Sequence, residues 1–170
     1  WWPIVTRPSS CYPRTEEAVD LAERHPGLGV GLHFNLTEGR PLTDARSLVD
    51  ADGEFLLRGE LIRRSARGRL RPDEITRELT AQLDRFVSLG LSPTHLDSHQ
   101  HVHMMPTIFR AMAPVLSERI PALRVVVPAG RHTARSRPAT LAVNAMFRLS
   151  AASIRRRFPG RTNDRFVSLH

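Results

Sequence analysis

The sequence predicts an α/β fold in which parallel strands alternate with helices, arranged either as a barrel or as a doubly wound sheet. Two observations lead to this class: segments of helical periodicity alternate with apolar segments along the chain, and those apolar segments are short. The 170 residues, 41% hydrophobic and 25% charged, fit a single globular domain over residues 1–170 that has enough apolar material for a core.

The first part of the chain predicts a helix, a strand and a long loop. Residues 16–25 carry apolar side chains at helical spacing, and Pro26-Gly27 ends that helix. Residues 28–36 alternate as in a strand, with His33 on the face opposite the large apolar residues. Residues 37–57, rich in Gly, Asp and Pro, predict a loop long enough to be functional.

The clearest helix begins at Pro72, which is followed by two acidic residues in the first turn, and it is closed by Gly90 as a left-handed cap. Proline also begins a later helix at Pro106. The remaining predicted elements are strands at residues 94–98, 123–127 and 166–169, and helices at residues 106–119 and 139–157.

The net charge of +8 lies entirely in the last third of the chain. All 25 basic residues are arginine; residues 1–118 hold 14 of them against 16 acidic residues, and residues 119–170 hold 11 against Asp164 alone. The cluster Arg155-Arg156-Arg157 ends a predicted helix, where cations complement the helix dipole. Because only Phe158 interleaves with this cluster, no nucleic-acid partner is expected, and the cluster is not expected to be the catalytic surface.

The composition also bears on the cellular location. No apolar run approaches the roughly 18 residues that a membrane span requires, so no membrane partner is expected. The start of the sequence, Trp1-Trp2-Pro3, lacks the basic and apolar regions of a secretory signal. Because Cys11 is the single cysteine of the sequence, an internal disulfide is excluded. We therefore expect a reducing, cytoplasmic setting.

The strongest chemical signal is a segment at residues 94–103 (THLDSHQHVH), which holds four of the eight histidines of the chain. Its place between a strand and a helix is where parallel α/β folds gather their functional residues. Imidazole is a common metal ligand, and a nearby carboxylate can fix its tautomer. Other residue types interrupt the run mid-chain, which favours a metal or catalytic role over a tag or a solvated loop. In an extended chain, one face would carry His95, Asp97, His99, His101 and His103.

A second candidate is His33, near the C-terminal end of the preceding strand. A lone histidine in an apolar strand is more often a core residue, but two parallel strands that both carry histidine near their C-terminal ends can bring the rings onto one metal. The sequence therefore pairs His33 with His99. Asn35 and Thr37 follow as candidates for hydrogen bonds to a substrate.

The two motifs together resemble the YdjC-like carbohydrate deacetylases, the group that includes the chitooligosaccharide deacetylases. The matching segments are GVGLHFNLTEGRPL at residues 29–42 and PTHLDSHQHVH at residues 93–103, in the expected order. The resemblance extends over about residues 4–128, and the Arg-rich residues 129–170 lie beyond it. It implies a distorted β/α barrel and hydrolysis of the acetyl group from an N-acetylated sugar or oligosaccharide.

The resemblance also implies a divalent metal held by one Asp and two His, and it places the two histidines at His33 and His99. Magnesium is the metal that the family implies, whereas two imidazoles would suit Zn²⁺ better. Asp97, His95 and His103 are then expected as contacts of the ligands or as substitute ligands. The metal would polarise the acetyl carbonyl and activate a water molecule.

Two parts of the family pattern have no match in residues 1–170. These are an Ala-Asp-Asp-Phe-type motif after the first strand, which supplies the base and the metal carboxylate, and a late His-Pro segment, which supplies a candidate acid. We therefore expect a domain that is incomplete at both ends, with its general base and acid outside this chain. The alternative is a non-catalytic homologue that binds only metal or sugar. A homodimer is compatible with the sequence.

Overall fold

The computed structural model describes residues 4–5, 15–127 and 138–163. Within these residues one parallel sheet takes its strands in chain order, each paired with the next. A barrel adds every strand on the same side of the previous one, whereas a doubly wound sheet reverses direction at a switch point. The order therefore favours the barrel type. The strands are β1 (Ile4–Val5), β2 (Gly31–Phe34), β3 (His95–Ser98), β4 (Ala122–Leu123) and β5 (Arg161–Thr162).

Helices occupy the connections between these strands. Helix α3 begins at Pro72, whose fixed φ suits the first helical position, and the chain turns beyond its end at Gly90 with φ of 79°. None of the described helices is long and apolar enough to cross a membrane. The helices are α1 (Thr15–Arg24), α2 (Arg58–Ala66), α3 (Pro72–Ser88), α4 (Pro106–Arg119) and α5 (Pro138–Arg157).

The two faces of the sheet have different partners. Leu32, Phe34 and Leu96 are almost completely buried and belong to the hydrophobic core that the helices also line. Because successive side chains of a strand point to opposite faces, His33 and Asp97 lie on the other face, where the register places them side by side. This second face corresponds to the interior of a barrel.

Several predicted elements differ from the observed ones. The strand predicted at residues 28–36 is limited to β2, and the one predicted at residues 123–127 is limited to β4, although Val125 and Val126 are buried. Helix α2 was not predicted, because Leu61 is its only buried residue and its periodicity is weak. The strand predicted at residues 166–169 lies outside the described residues.

The strand predicted at residues 94–98 is present as β3, but the shared face expected for the histidines up to His103 requires an extended chain that the structure does not have beyond Ser98. Strand β3 ends at Ser98, and residues 99–104 form a 3₁₀ segment. Inside it, Gln100 and His101 take left-handed φ values of 51° and 58°, which turn the chain sharply. The later histidines therefore do not continue the face that His95 and Asp97 share.

Candidate metal centre

His33 and His99 meet at the carboxyl ends of neighbouring parallel strands. His33 is the third residue of β2, and His99 directly follows β3. The His33 Nε2 atom lies 3.4 Å from His99 Nδ1, and the ring planes are inclined by 79°. Two nitrogens bound to one tetrahedral ion at about 2.0–2.1 Å each would be separated by about 3.4 Å. The observed separation therefore fits a shared ion as well as a hydrogen bond.

A carboxylate lies near the other nitrogen of each ring. Asp97 Oδ2 is 3.7 Å from His33 Nδ1, and Glu38 Oε2 is 3.4 Å from His99 Nε2. Both carboxylates therefore lie on the outer sides of the histidine pair. Histidines that bind metals in proteins usually present their second nitrogen to such a group.

Asp97 is a buried carboxylate that is hydrogen-bonded to Arg124. Its Oδ2 accepts a hydrogen bond of 2.5 Å from Arg124 Nη1, and Arg124 directly follows β4. Its Oδ1 is buried and has no hydrogen-bond partner within the described residues. Because Asp97 lies beside His33 Nδ1, whereas His99 lies at Nε2, the geometry favours a contact that orients His33 over a third ligand on the same ion.

His103 is held inside the protein by hydrogen bonds at both ring nitrogens. It is fully buried, with Nδ1 2.5 Å from Ser98 Oγ and Nε2 2.7 Å from the carbonyl oxygen of Arg124. Both ring nitrogens are thus engaged within the protein, so the expectation that His103 could substitute as a ligand is not supported. Burial lowers the pKa of His103 to about 4, which keeps the ring neutral at physiological pH.

His95 fills the space beside Gly31 on the same face of the sheet as Asp97. A Cβ atom at Gly31 would lie 2.2 Å from His95 Nε2, so only glycine fits there. The Nδ1 atom of His95 is 3.0 Å from Thr94 Oγ1. Burial and the neighbouring Arg124 lower the pKa of His95 to about 4. His95 is therefore a neutral ring packed one layer away from the paired His33 and Asp97.

Asn35 and Thr37 form a tight turn immediately after β2. The Thr37 backbone N–H donates to Asn35 Oδ1 at 3.0 Å, and Asn35 Nδ2 donates to the carbonyl oxygen of Glu38 at 2.6 Å. Asn35 is buried and uses both side-chain groups inside the chain, so it shapes the turn. The Thr37 hydroxyl is buried and makes no hydrogen bond to any described residue.

A row of buried polar side chains on α3 holds this turn and the loop beyond it. The Gln82 amide bonds both backbone groups of Asn35, donating to its carbonyl at 2.8 Å and accepting from its N–H at 3.1 Å. Glu78 accepts hydrogen bonds from the backbone N–H groups of Leu42 and Thr43. Glu74 similarly accepts from the N–H of Ser47 at 2.7 Å.

Sequence reasoning missed this row and Glu38. Glu74, Glu78 and Gln82 recur every four residues, which is also the pattern of a solvated helix face. The available signal was their position next to the apolar stripe of the same helix, at the border of the buried surface. For Glu38, the signal was its place within the histidine-bearing motif.

Within the described part of the chain, no group of three or more His, Cys, Asp or Glu side chains is arranged to hold a metal ion. His33 and His99 thus provide two nitrogens without a third donor of these types. The carboxylate ligand implied by the resemblance has no counterpart at residues 1–14, where the sequence contains neither Asp nor Glu.

Comparison with known proteins gives consistent matches. A family model described as YdjC-like protein matches residues 10–170. A carbohydrate deacetylase of Geobacillus stearothermophilus is 44% identical over 162 residues, which cover 92% of this chain and 57% of that protein. A chitooligosaccharide deacetylase of Yersinia enterocolitica is 49% identical over 109 residues, which cover 64% and 42%. The chain spans about half the length of these curated relatives.

A solved structure supports the fold. A crystal structure from Enterococcus faecalis V583, of a protein whose suggested role is cellobiose-phosphate cleavage, aligns with a TM-score of 0.61 at 24% identity. The alignment covers 89% of this chain and 52% of that one. At this identity the similarity shows the fold alone, and it confirms the predicted α/β class.

Proposed function

Because this chain belongs to the YdjC-like family, we propose that it is the histidine-bearing part of a metal-dependent carbohydrate deacetylase. Such an enzyme hydrolyses the amide bond of an N-acetylated sugar or oligosaccharide, and the names of the two relatives support this substrate class. The observation that carries the proposal is the approach of His33 Nε2 to His99 Nδ1 at 3.4 Å. It occurs at the carboxyl end of the strands, where barrel enzymes place their active sites.

In this proposal His33 and His99 bind one divalent cation. Imidazole nitrogens suit Zn²⁺ or another first-row transition metal, whereas Mg²⁺ prefers oxygen ligands. The donor set therefore favours zinc, although the resemblance implies magnesium. When bound, the cation supplies a Lewis acid that polarises the acetyl carbonyl and activates water.

The surrounding residues orient this pair. Arg124 holds Asp97 beside His33, and His103 fixes the backbone carbonyl of Arg124. Thr37 is the proposed hydrogen-bonding partner of a polar group of the sugar, and its buried hydroxyl makes no hydrogen bond to any described residue. The proposed roles include no general base or general acid among the described residues.

Titration calorimetry with Zn²⁺, and separately with Mg²⁺, tests the metal site. We expect weak binding, because two nitrogens are the donors, and a loss of at least tenfold in affinity for His33→Ala and for His99→Ala. The matched control is His25→Ala, since His25 is an exposed histidine outside the site. Equal affinities in all three variants and the parent chain would contradict the proposal.

Acetate release from N-acetylglucosamine oligomers tests the reaction. We expect little or no release by this chain alone, and a gain in both metal affinity and acetate release when an N-terminal segment bearing an Asp-Asp pair is added. His33→Ala or His99→Ala should abolish that gain. An extended protein that keeps full activity with both histidines replaced would overturn the assignment.

A further inference from the structure

Two arrangements of protons compete at the pair formed by His33 and His99. A neutral imidazole carries one ring proton, on either nitrogen. The nitrogens that face each other are His33 Nε2 and His99 Nδ1, 3.4 Å apart. If one of them carries the ring proton, it can donate a hydrogen bond to the other. Neither nitrogen then has a lone pair left for a cation. If both rings carry the proton on the outer nitrogen, two lone pairs face each other. Only the second arrangement presents two nitrogens to a cation.

The outer carboxylates favour the second arrangement. A carboxylate only accepts hydrogen bonds, so an N–H directed at it is attracted, whereas a ring lone pair directed at it is repelled. Asp97 lies on the outer side of His33, and Glu38 lies on the outer side of His99, 3.4 Å from its Nε2 atom.

We propose that Glu38 is a positioning residue for His99: its carboxylate keeps the ring proton on Nε2, so that the Nδ1 lone pair joins His33 Nε2 in binding a cation. This inference rests on the proposed function and names a residue that completes its site. Without Glu38, His99 gains a competing state in which Nδ1–H donates to His33 and closes the site.

The turn that carries Glu38 is fixed by the fold. Asn35 Nδ2 donates to the Glu38 carbonyl oxygen, and the backbone of Asn35 is itself held at both polar groups by Gln82. The Glu38 side chain is 46% exposed, so its charge stays solvated while it faces His99. Since partly exposed ion pairs contribute little to folding, removal of this carboxylate should leave the unfolding transition unchanged.

Zinc titration of matched variants provides the first test. Glu38→Ala should weaken Zn²⁺ binding about tenfold or more, the usual effect of removing such a partner. Glu38→Gln should recover part of the affinity, because its amide oxygen also accepts a hydrogen bond. Glu54→Ala, which removes an exposed carboxylate paired with Arg40, is the control and should not change the affinity. Unchanged binding in Glu38→Ala would overturn the proposal.

Nitrogen-15 NMR of the metal-free protein separates this inference from the proposed function. At about pH 8, where free imidazole is neutral, we expect the His99 proton on Nε2 in the parent chain and a new population with the proton on Nδ1 in Glu38→Ala. A parent chain that binds no zinc would refute the metal site, and the tautomers would still decide the role of Glu38. Identical His99 tautomers in both proteins would overturn that role.

Discussion

His33 and His99 keep 17% and 22% of their side chains exposed, whereas His95 and His103 are almost fully buried. Burial lowers the pKa of both buried rings to about 4, so they pack as neutral groups. The partly exposed pair is the one that a ligand from solvent can reach. Within the segment at residues 94–103, our proposal therefore assigns the partly exposed His99 to the cation, whereas His95 and His103 pack inside the protein.

The pKa of His103 gives a pH dependence of stability. An unfolded histidine titrates near its ordinary pKa of about 6.5, and the folded one near 4. Between these values the unfolded chain binds more protons, so the free energy of unfolding is largest above about pH 6.5 and falls as the pH drops towards 4. The slope is up to about 1.4 kcal/mol per pH unit for this group. Urea unfolding at pH 7 and pH 5 measures it.

The matched variants for this prediction are His103→Gln and His25→Gln. The first removes the titrating ring at the buried position, so we expect a smaller difference in unfolding free energy between pH 7 and pH 5. The second removes an exposed ring and should keep the parent difference. A His103→Gln protein with the full pH dependence would show that the buried ring is not its source.

Gly31 is the position at which a single methyl group should do most harm. A Cβ atom there would overlap His95, and overpacking of a buried site typically costs about 1–3 kcal/mol. We therefore expect Gly31→Ala to lower the melting temperature clearly. Gly59→Ala is the control, because a Cβ there meets nothing within 4 Å and alanine favours the helix. Equal melting temperatures for the two variants would refute the close packing of His95.

At the scale of secondary-structure elements, α3 carries two buried stripes with different tasks. Its apolar residues, such as Leu79 and Leu83, enter the core, and its polar residues bind the backbone of the segment after β2. The polar stripe fixes where β2 ends and hence where the turn bearing Glu38 begins. Helix packing and site geometry are thus set by the same element.

Gln82→Leu tests the polar stripe. Leucine is of similar size but would leave the N–H and carbonyl groups of Asn35 without their partner, at a cost of about 1–3 kcal/mol for a buried group. We expect a matching loss of unfolding free energy and faster hydrogen exchange at residues 35–43. Arg85→Ala, an exposed change on the same helix, should stay within about 0.5 kcal/mol of the parent. Unaltered exchange in Gln82→Leu would contradict the positioning role.

Helices with characteristic residues at their first and last turns were predictable from sequence. Proline at the first position and glycine beyond the last turn defined α3, because both act through local backbone geometry. The approach of His33 to His99 was also predictable, since both lie near the carboxyl ends of parallel strands that prove to be neighbours.

Other features depend on contacts distant in sequence and were not predictable. The turn at Gln100 and His101 needs two consecutive left-handed residues, which the alternating histidines do not signal. The backbone hydrogen bonds of Glu78 and Gln82 link residues more than thirty positions apart, so their burial could not be recognised along the helix alone. The contact of Glu38 with His99 is of the same kind.

At the scale of the whole molecule, the arginine cluster that ends α5 is distant in sequence from the histidine pair, whereas Arg124, from the same positively charged third, bonds Asp97 at the site. Arg155, Arg156 and Arg157 end α5, where their charges complement the helix dipole and are exposed to solvent. Changing all three to Gln should leave Zn²⁺ affinity within about twofold of the parent, since solvent-exposed charges are largely screened at physiological ionic strength. Calorimetry at physiological ionic strength checks this, and a large loss would place the binding site elsewhere.

The central claim is that β2 and β3 bring two histidines onto one ion. Three observations support it: the order of the strands, the family relationship, and the positions of Asp97 and Glu38 on the outer sides of the two rings. Anomalous diffraction at the zinc absorption edge, from crystals of this chain equilibrated with Zn²⁺, tests it most directly. We predict one strong peak at about 2.0–2.1 Å from both His33 Nε2 and His99 Nδ1. A peak bonded to only one of these rings, or a zinc ion bound elsewhere while this position stays empty, would contradict the account.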